Sequence, residues 1–247
     1  MIETAPPALR ETSGRARLPD SSGSATSADG TRLAWDVYGS GDPTIVFLPD
    51  NPIIHSRQWK GQVPYLARHF RVVTYDGRGN GLADRPTTPE AYTDERILDD
   101  LECVMDATET RAAVLVGLCG DGVWRSIEFA AQKPERVLGI VAFAVGVPLL
   151  SAPHPWRVAA AFHEERARYE GWELINEHAW RRDYARFAQF FFSQITSEPH
   201  STKAIEDAVV WAVDGSVEAM IAEAQTGNDW TLESVEATCR AVRCPML

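Results

Sequence analysis

Residues 115–124 read LVGLCGDGVW, an apolar run that breaks into small residues on either side of Cys119. The pattern fits a strand turning sharply into a helix with a thiol at the tip, the arrangement of a nucleophile elbow. So tight a turn calls for small residues two positions before and two after the tip. Gly117 meets that requirement and Asp121 does not. The amide after the nucleophile, here Gly120, and the positive end of the next helix, expected from about Gly122, would face a developing oxyanion. Read alone, the decapeptide also fits a glycine-rich strand-to-helix loop holding an inert, half-buried cysteine.

The flanking sequence alternates strands and helices. Residues 31–39 (TRLAWDVYG) alternate in the manner of a strand with one exposed face, and residues 44–48 (TIVFL) and 71–75 (RVVTY) are short apolar runs typical of central parallel strands. Trp59, Val63 and Leu66 recur at helical spacing between them. Thr93 and Asp94 stand where a helix cap is needed, ahead of a stripe of Ile97, Leu98, Leu101, Val104 and Met105. That helix leads to a strand over residues 112–116, then the elbow, then a helix that Pro134 helps stop after Lys133, and a strand over residues 137–147. The expected fold is α/β, a doubly wound and mostly parallel sheet.

The 247 residues, 45% apolar, suffice for one sizeable core. With 24 Lys and Arg against 35 Asp and Glu, the net charge is −11, which repels phosphate backbones and anionic lipid. Nucleic acid and membrane partners are therefore not expected. Cys103, Cys119, Cys239 and Cys244 form no CxxC pair and sit near no His ligand set, so neither a metal site nor a disulfide framework is indicated and a reducing cytoplasm fits. No cofactor signature is present. Residues 1–28, rich in Pro, Ser, Ala and Arg, read as a disordered leader.

The order of these motifs resembles the α/β-hydrolase family from about Gly30 to Leu247. TIVFLPDNP lies where that family carries its oxyanion loop, YDGRGNGLADRP is similar to its turn after the next strand, and LVGLCGDG aligns with its elbow. The resemblance implies Cys119 as nucleophile, with the backbone N–H groups of Asn51 and Gly120 as oxyanion donors. The loop departs from the family's usual His-Gly pair in carrying Pro49 and Asp50, and Asp50, Asn51 and Pro52 read equally as a plain turn. The cluster of Asp76, Arg78, Gly79 and Gly81 is read as bracing rather than catalytic.

Residues 29–147 then form the core, 148–230 a helical cap, and 231–247 a return to the core. The cap is rich in aromatics, among them Trp156, Phe162, Tyr169, Trp172, Trp180, Phe187 and Trp211. Most are expected to pack within the cap, and some to line a site for a small, partly apolar substrate. Ser201 and Ser216 are read as helix caps. The resemblance places the catalytic acid and base after later strands. VRCPML looks like the start of one, and none of His55, His69, His154, His163, His178 and His200 fits the base by position. The sheet is therefore expected to be incomplete at the C-terminus, and the chain to be truncated or partnered.

The activity implied is hydrolysis of a carboxylic ester, thioester or lactone, impaired where acid and base are missing. A noncatalytic binding protein on the same fold is the alternative. A dehalogenase using Asp121 as nucleophile is disfavoured, because that register sets Val123 where a small residue is needed.

Overall fold

The computed structural model describes residues 16–148, 159–198 and 202–247. Its sheet contains Ser21–Thr26 (β1), Arg32–Tyr38 (β2), Thr44–Phe47 (β3), Arg71–Asp76 (β4), Ala113–Leu118 (β5) and Val137–Phe143 (β6) in the order β1-β2-β4-β3-β5-β6. β1 and β2 form an antiparallel margin, and β4, β3, β5 and β6 run parallel. Side-chain alternation sends Val46, Leu48, Val73, Tyr75 and Leu115 to one face and Ile45, Phe47, Val72 and Val116 to the other. The two faces carry separate apolar clusters, as a doubly wound sheet requires.

The helices are Val63–Leu66 (α1), Asp94–Ala107 (α2), Cys119–Gln132 (α3), Ala159–Phe162 (α4), Glu177–Arg182 (α5), Tyr184–Ile195 (α6), Lys203–Val213 (α7), Val217–Ala224 (α8) and Leu232–Ala241 (α9). α2, α3 and α9 cover the first face through Leu101, Met105, Val123, Ile127, Phe129 and Val235. The second face is covered by Trp59 and α1. Trp230, just before α9, meets the edge of Trp124 with ring centroids 5.9 Å apart, which returns the chain to the sheet. Among the described residues no helix is long and apolar enough to cross a membrane.

The structure corrects several boundaries. Residues 21–26, assigned to the leader, form β1: Ser-Gly-rich residues with little strand propensity are held by full antiparallel pairing with β2. Residues 1–15 of that leader lie outside the described residues. β6 ends at Phe143, not Val147, because Ala144 turns to φ +52°. α3 begins at Cys119 rather than near Gly122. Thr93 precedes α2 but its side chain makes no capping bond. Ser216 does cap α8, taking the Ala219 N–H at 3.2 Å, and Thr231 forms a capping box with Ser234 at α9. Ser201, Trp156, His154 and His200 lie outside the described residues.

Residues 245–247 pair in parallel with β6, as the sequence of VRCPML suggests. Ile140 N–H donates to the Pro245 carbonyl at 2.9 Å, Leu247 N–H to Ile140 at 3.0 Å, and Ala142 N–H to Leu247 at 2.8 Å.

Helices α5 to α8 gather around an apolar cluster of their own, including Phe162, Tyr169, Trp180, Phe187, Trp211 and Met220. Ile53 joins that cluster from the loop after β3, with half-buried Ile54 packed against it. Polar ties complete the join: Arg85 to the Asp214 carbonyl at 3.0 Å, Thr226 to the Pro89 carbonyl at 2.9 Å, and an ion pair between Lys60 and Asp207.

Candidate active site

The elbow is a backbone conformation before it is a chemistry. Cys119 sits at φ +60° and is exposed, a left-handed conformation that costs a non-glycine residue about 1–3 kcal/mol and persists where surrounding structure enforces it. Close packing supplies the enforcement. A Cβ on Gly117 would fall 2.6 Å from the Gly122 carbonyl carbon and 2.8 Å from the Val123 Cα. The residue that crosses Gly117 is thus Gly122, three positions beyond the tip. Asp121 is accommodated for that reason, although the usual spacing argues against it. On the far side, a Cβ on Gly146 would fall 2.9 Å from the Gly120 Cα, so the loop after β6 lies against the elbow.

The loop after β3 reaches the same place. Leu48 N–H extends the ladder to the Val116 carbonyl at 3.0 Å. Asp50 Oδ1 then accepts the Gly122 N–H at 3.2 Å, and the Asp50 carbonyl accepts Arg125 Nη1 at 2.7 Å. Asn51 follows directly. Its side chain is engaged in a local turn, with Oδ1 accepting the Ile53 N–H at 3.1 Å, so the turn reading holds for the side chain. Gly120 N–H is one of the first-turn amides of α3, which have no acceptor within the helix.

The Asp76–Gly81 turn braces this loop. Asp76 accepts the Ser56 N–H at 3.0 Å and the Leu82 N–H at 2.9 Å. Asn80 donates to the Pro52 carbonyl at 2.7 Å. Arg78 is buried and bidentate to Asp100, at 2.7 and 2.6 Å, and also donates to Asp29 at 2.8 Å. Gly79 at φ +98° and Gly81 at φ +58° supply conformations that other residues rarely adopt. These bonds accord with a bracing role.

Sequence reading missed a set of carboxyls behind the elbow. Asp50 and Asp121 approach Arg125 from the loop and α3, Asp94 from α2, and Glu223 from α8. Burial is the main cause that pushes Asp50 up to about 7 and Glu223 up to about 8, with Asp121 adding repulsion in both cases. Glu128 rises to about 8 through burial and the neighbouring Asp94. Asp50, Arg125 and Glu223 line one narrow cleft together with Asn51, Asn80 and Tyr92. Positions so distant in sequence carry no shared spacing, and only the packing of α8 onto the loop unites them.

Four histidines fall in the described regions. His55 is buried and its Nδ1 accepts the Arg57 N–H at 3.3 Å. His163 meets Glu177 at 2.6 Å, and His178 Nε2 lies 3.2 Å from the His163 carbonyl, both within the helical layer. His69 stacks near Tyr65 beside α1. The six-stranded sheet with its elbow provides a positioned thiol and two loops that meet at it.

Comparison with known proteins follows the same lines. A family model described as alpha/beta hydrolase fold matches residues 43–233. Probable oxidoreductase EphD of Mycobacterium tuberculosis is 42% identical over 82 residues, which is 32% of this chain and 13% of that protein. Epoxide hydrolase 1 of Siraitia grosvenorii is 30% identical over 123 residues, 49% of this chain and 38% of that protein. The chain spans less than half the length of either of these relatives. Among solved structures, the enol-lactonase from Burkholderia xenovorans LB400 superimposes with a TM-score of 0.64 at 25% identity, covering 91% of this chain and 79% of that one.

Proposed function

This chain belongs to the alpha/beta hydrolase fold family, and we propose that its lineage acts on a carboxylic ester, thioester or lactone through Cys119. The observation that carries the reading is the φ of +60° at Cys119, at the junction of β5 and α3. A thiol held there is presented outward, with the helix dipole behind it. In the proposed step the Cys119 thiolate attacks the acyl carbon, an S–C bond forms, and the C–O (or C–S) bond to the leaving group breaks. The thiol's proton leaves with the alcohol or thiol, and water then returns the acyl group as the acid. Asn51 and Gly120 N–H groups are the proposed donors to the oxyanion. No acid or base is assigned. The aromatic helical layer, residues 148–230 in the proposed division, favours a small substrate with an apolar part, and one structural neighbour is named an enol-lactonase.

A second reading has its own support. The carboxyl groups of Asp121, Asp50 and Glu223 stand behind the elbow, and a carboxyl-rich setting does not favour a thiolate. That setting supports a noncatalytic binder of small, partly apolar molecules.

The test is acyl uptake from a small aryl ester, read by intact mass and by release of the phenol. The wild-type chain is expected to gain one acyl group at Cys119, and Cys119→Ala to gain none, a loss of at least 100-fold in rate. Equal turnover in both proteins sinks the assignment. Binding of the ester without any acyl uptake moves the reading to the noncatalytic one.

A further inference from the structure

One residue fastens the loop after β3 to the elbow. Asp50 takes an α3 amide with its side chain, Gly122 N–H at 3.2 Å, and a guanidinium one turn further along with its own carbonyl, Arg125 Nη1 at 2.7 Å. The next residue is Asn51.

The surroundings of Asp50 are charged on every side. Asp121, Arg125 and Glu128 project from α3, Asp94 from the start of α2, and Glu223 from α8. Across the cleft stand Tyr92 and Arg78, the latter engaged by Asp100 and Asp29. Five carboxyls therefore face one guanidinium, that of Arg125. Full ionisation would leave an uncompensated negative cluster in a poorly hydrated place, so protons are retained there near neutrality.

Resting on the hydrolase reading above, we propose that Asp50 is a positioning residue. Its carboxyl and carbonyl hold Asn51 in register with Gly120, and the charge on the Asp50 carboxyl sets how firmly the loop is held. An ionised carboxyl accepts an amide N–H more strongly than a neutral one. The grip on Gly122 therefore tightens as Asp50 loses its proton, which burial and Asp121 delay to about pH 7. Stability moves the other way. A carboxyl whose folded pKa is raised contributes stability at low pH that is lost as pH climbs from the unfolded value near 4 to the folded value.

The experiment uses the full chain with Asp50→Ala, Asp50→Asn and Asp121→Asn. Amide hydrogen exchange at residues 49–51 and 120–122, corrected for intrinsic pH dependence, reads the grip without needing turnover. Asp50→Ala is expected to speed Gly122 exchange at least tenfold, and Asp50→Asn to retain protection because its amide oxygen still accepts. Wild-type protection rises through about pH 7, Asp50→Asn shows no such step, and Asp121→Asn, which removes the repulsion on Asp50, moves the step to lower pH. In thermal unfolding, the Tm of Asp50→Asn gains on the wild type from pH 5 to pH 8. Acyl uptake from p-nitrophenyl acetate falls at least tenfold in Asp50→Ala and recovers in Asp50→Asn.

Gly122 protection unchanged in Asp50→Ala, or a wild-type profile without the step, overturns the positioning role. If the alanine variant does not fold, the step and its loss in Asp50→Asn decide the matter. Wild-type protein that takes up no acyl group while showing the expected exchange pattern removes the hydrolase reading and upholds the grip.

Discussion

Arg78→Met is expected to destabilise the protein by about 3–5 kcal/mol, the cost of breaking a buried ion pair by removing one partner. Arg78 is 2% exposed and Asp100 1%. Methionine fills much of the space but takes away the two bonds that Arg78 donates to Asp100 and the one it donates to Asp29. For a chain of this length each kcal/mol lowers Tm by ~2–4 °C, so a drop near 10 °C is expected in thermal unfolding. The pH dependence identifies the cause. Burial already raises Asp100 against the pull of Arg78, and without the guanidinium it rises further. The variant therefore recovers part of its deficit as pH falls and loses it again as pH rises. Adding Asp100→Leu to Arg78→Met is expected to restore most of the loss, since no lone buried charge remains there. A single variant with wild-type Tm at pH 8 contradicts the account.

Gly117→Val is expected to be comparably damaging, by a different route. The alanine Cβ already meets Gly122 and Val123 backbone at 2.6 and 2.8 Å, and backbone has no rotamer with which to yield. Overpacking of this kind costs about 1–3 kcal/mol and more when a second methyl is added. The elbow must also shift, so Cys119 moves relative to Gly120 and Asp50. Differential scanning of Gly117→Ala and Gly117→Val is expected to show graded losses of Tm, with the valine protein the less soluble. Alkylation of Cys119 by iodoacetamide is expected to change rate in the alanine variant even where its fold is kept. An alanine variant with unchanged Tm and unchanged alkylation shows that the approach of Gly122 is not tight.

The elbow, the central strands and the helix stops were legible because each is a local signal. Small residues flank a tip, apolar runs are bounded by Gly, Pro and Asp, and Ser216 stands one residue before α8. β1 was not legible, since SSGSAT reads as linker and becomes a strand through the ladder that β2 offers. The tolerance of Asp121 was hidden for another reason: spacing rules count residues, whereas the collision at Gly117 depends on which turn of α3 crosses it. The Asp50, Arg125 and Glu223 group escaped because three separate elements contribute to it. Sequence did place Asn51 and Cys119 on two loops of one sheet, and the structure brings the loops together through Asp50, the residue that had been read as a departure from the pattern.

The loop after β3 also has a second anchor, at its far end. Ile53 and Ile54 sit in the aromatic cluster of the helical layer, not in either cluster of the sheet, while Asp50 is tied to α3. Asn51 thus lies on a short span between two supports that belong to different parts of the molecule. Displacing Phe187 or Trp211 by substitution is therefore expected to strain that span and to be felt at the Asn51 amide, two residues from Ile53. The aromatic cluster and the Asn51 amide are mechanically in series, so a change in the packing of the one is transmitted as a change in the aim of the other.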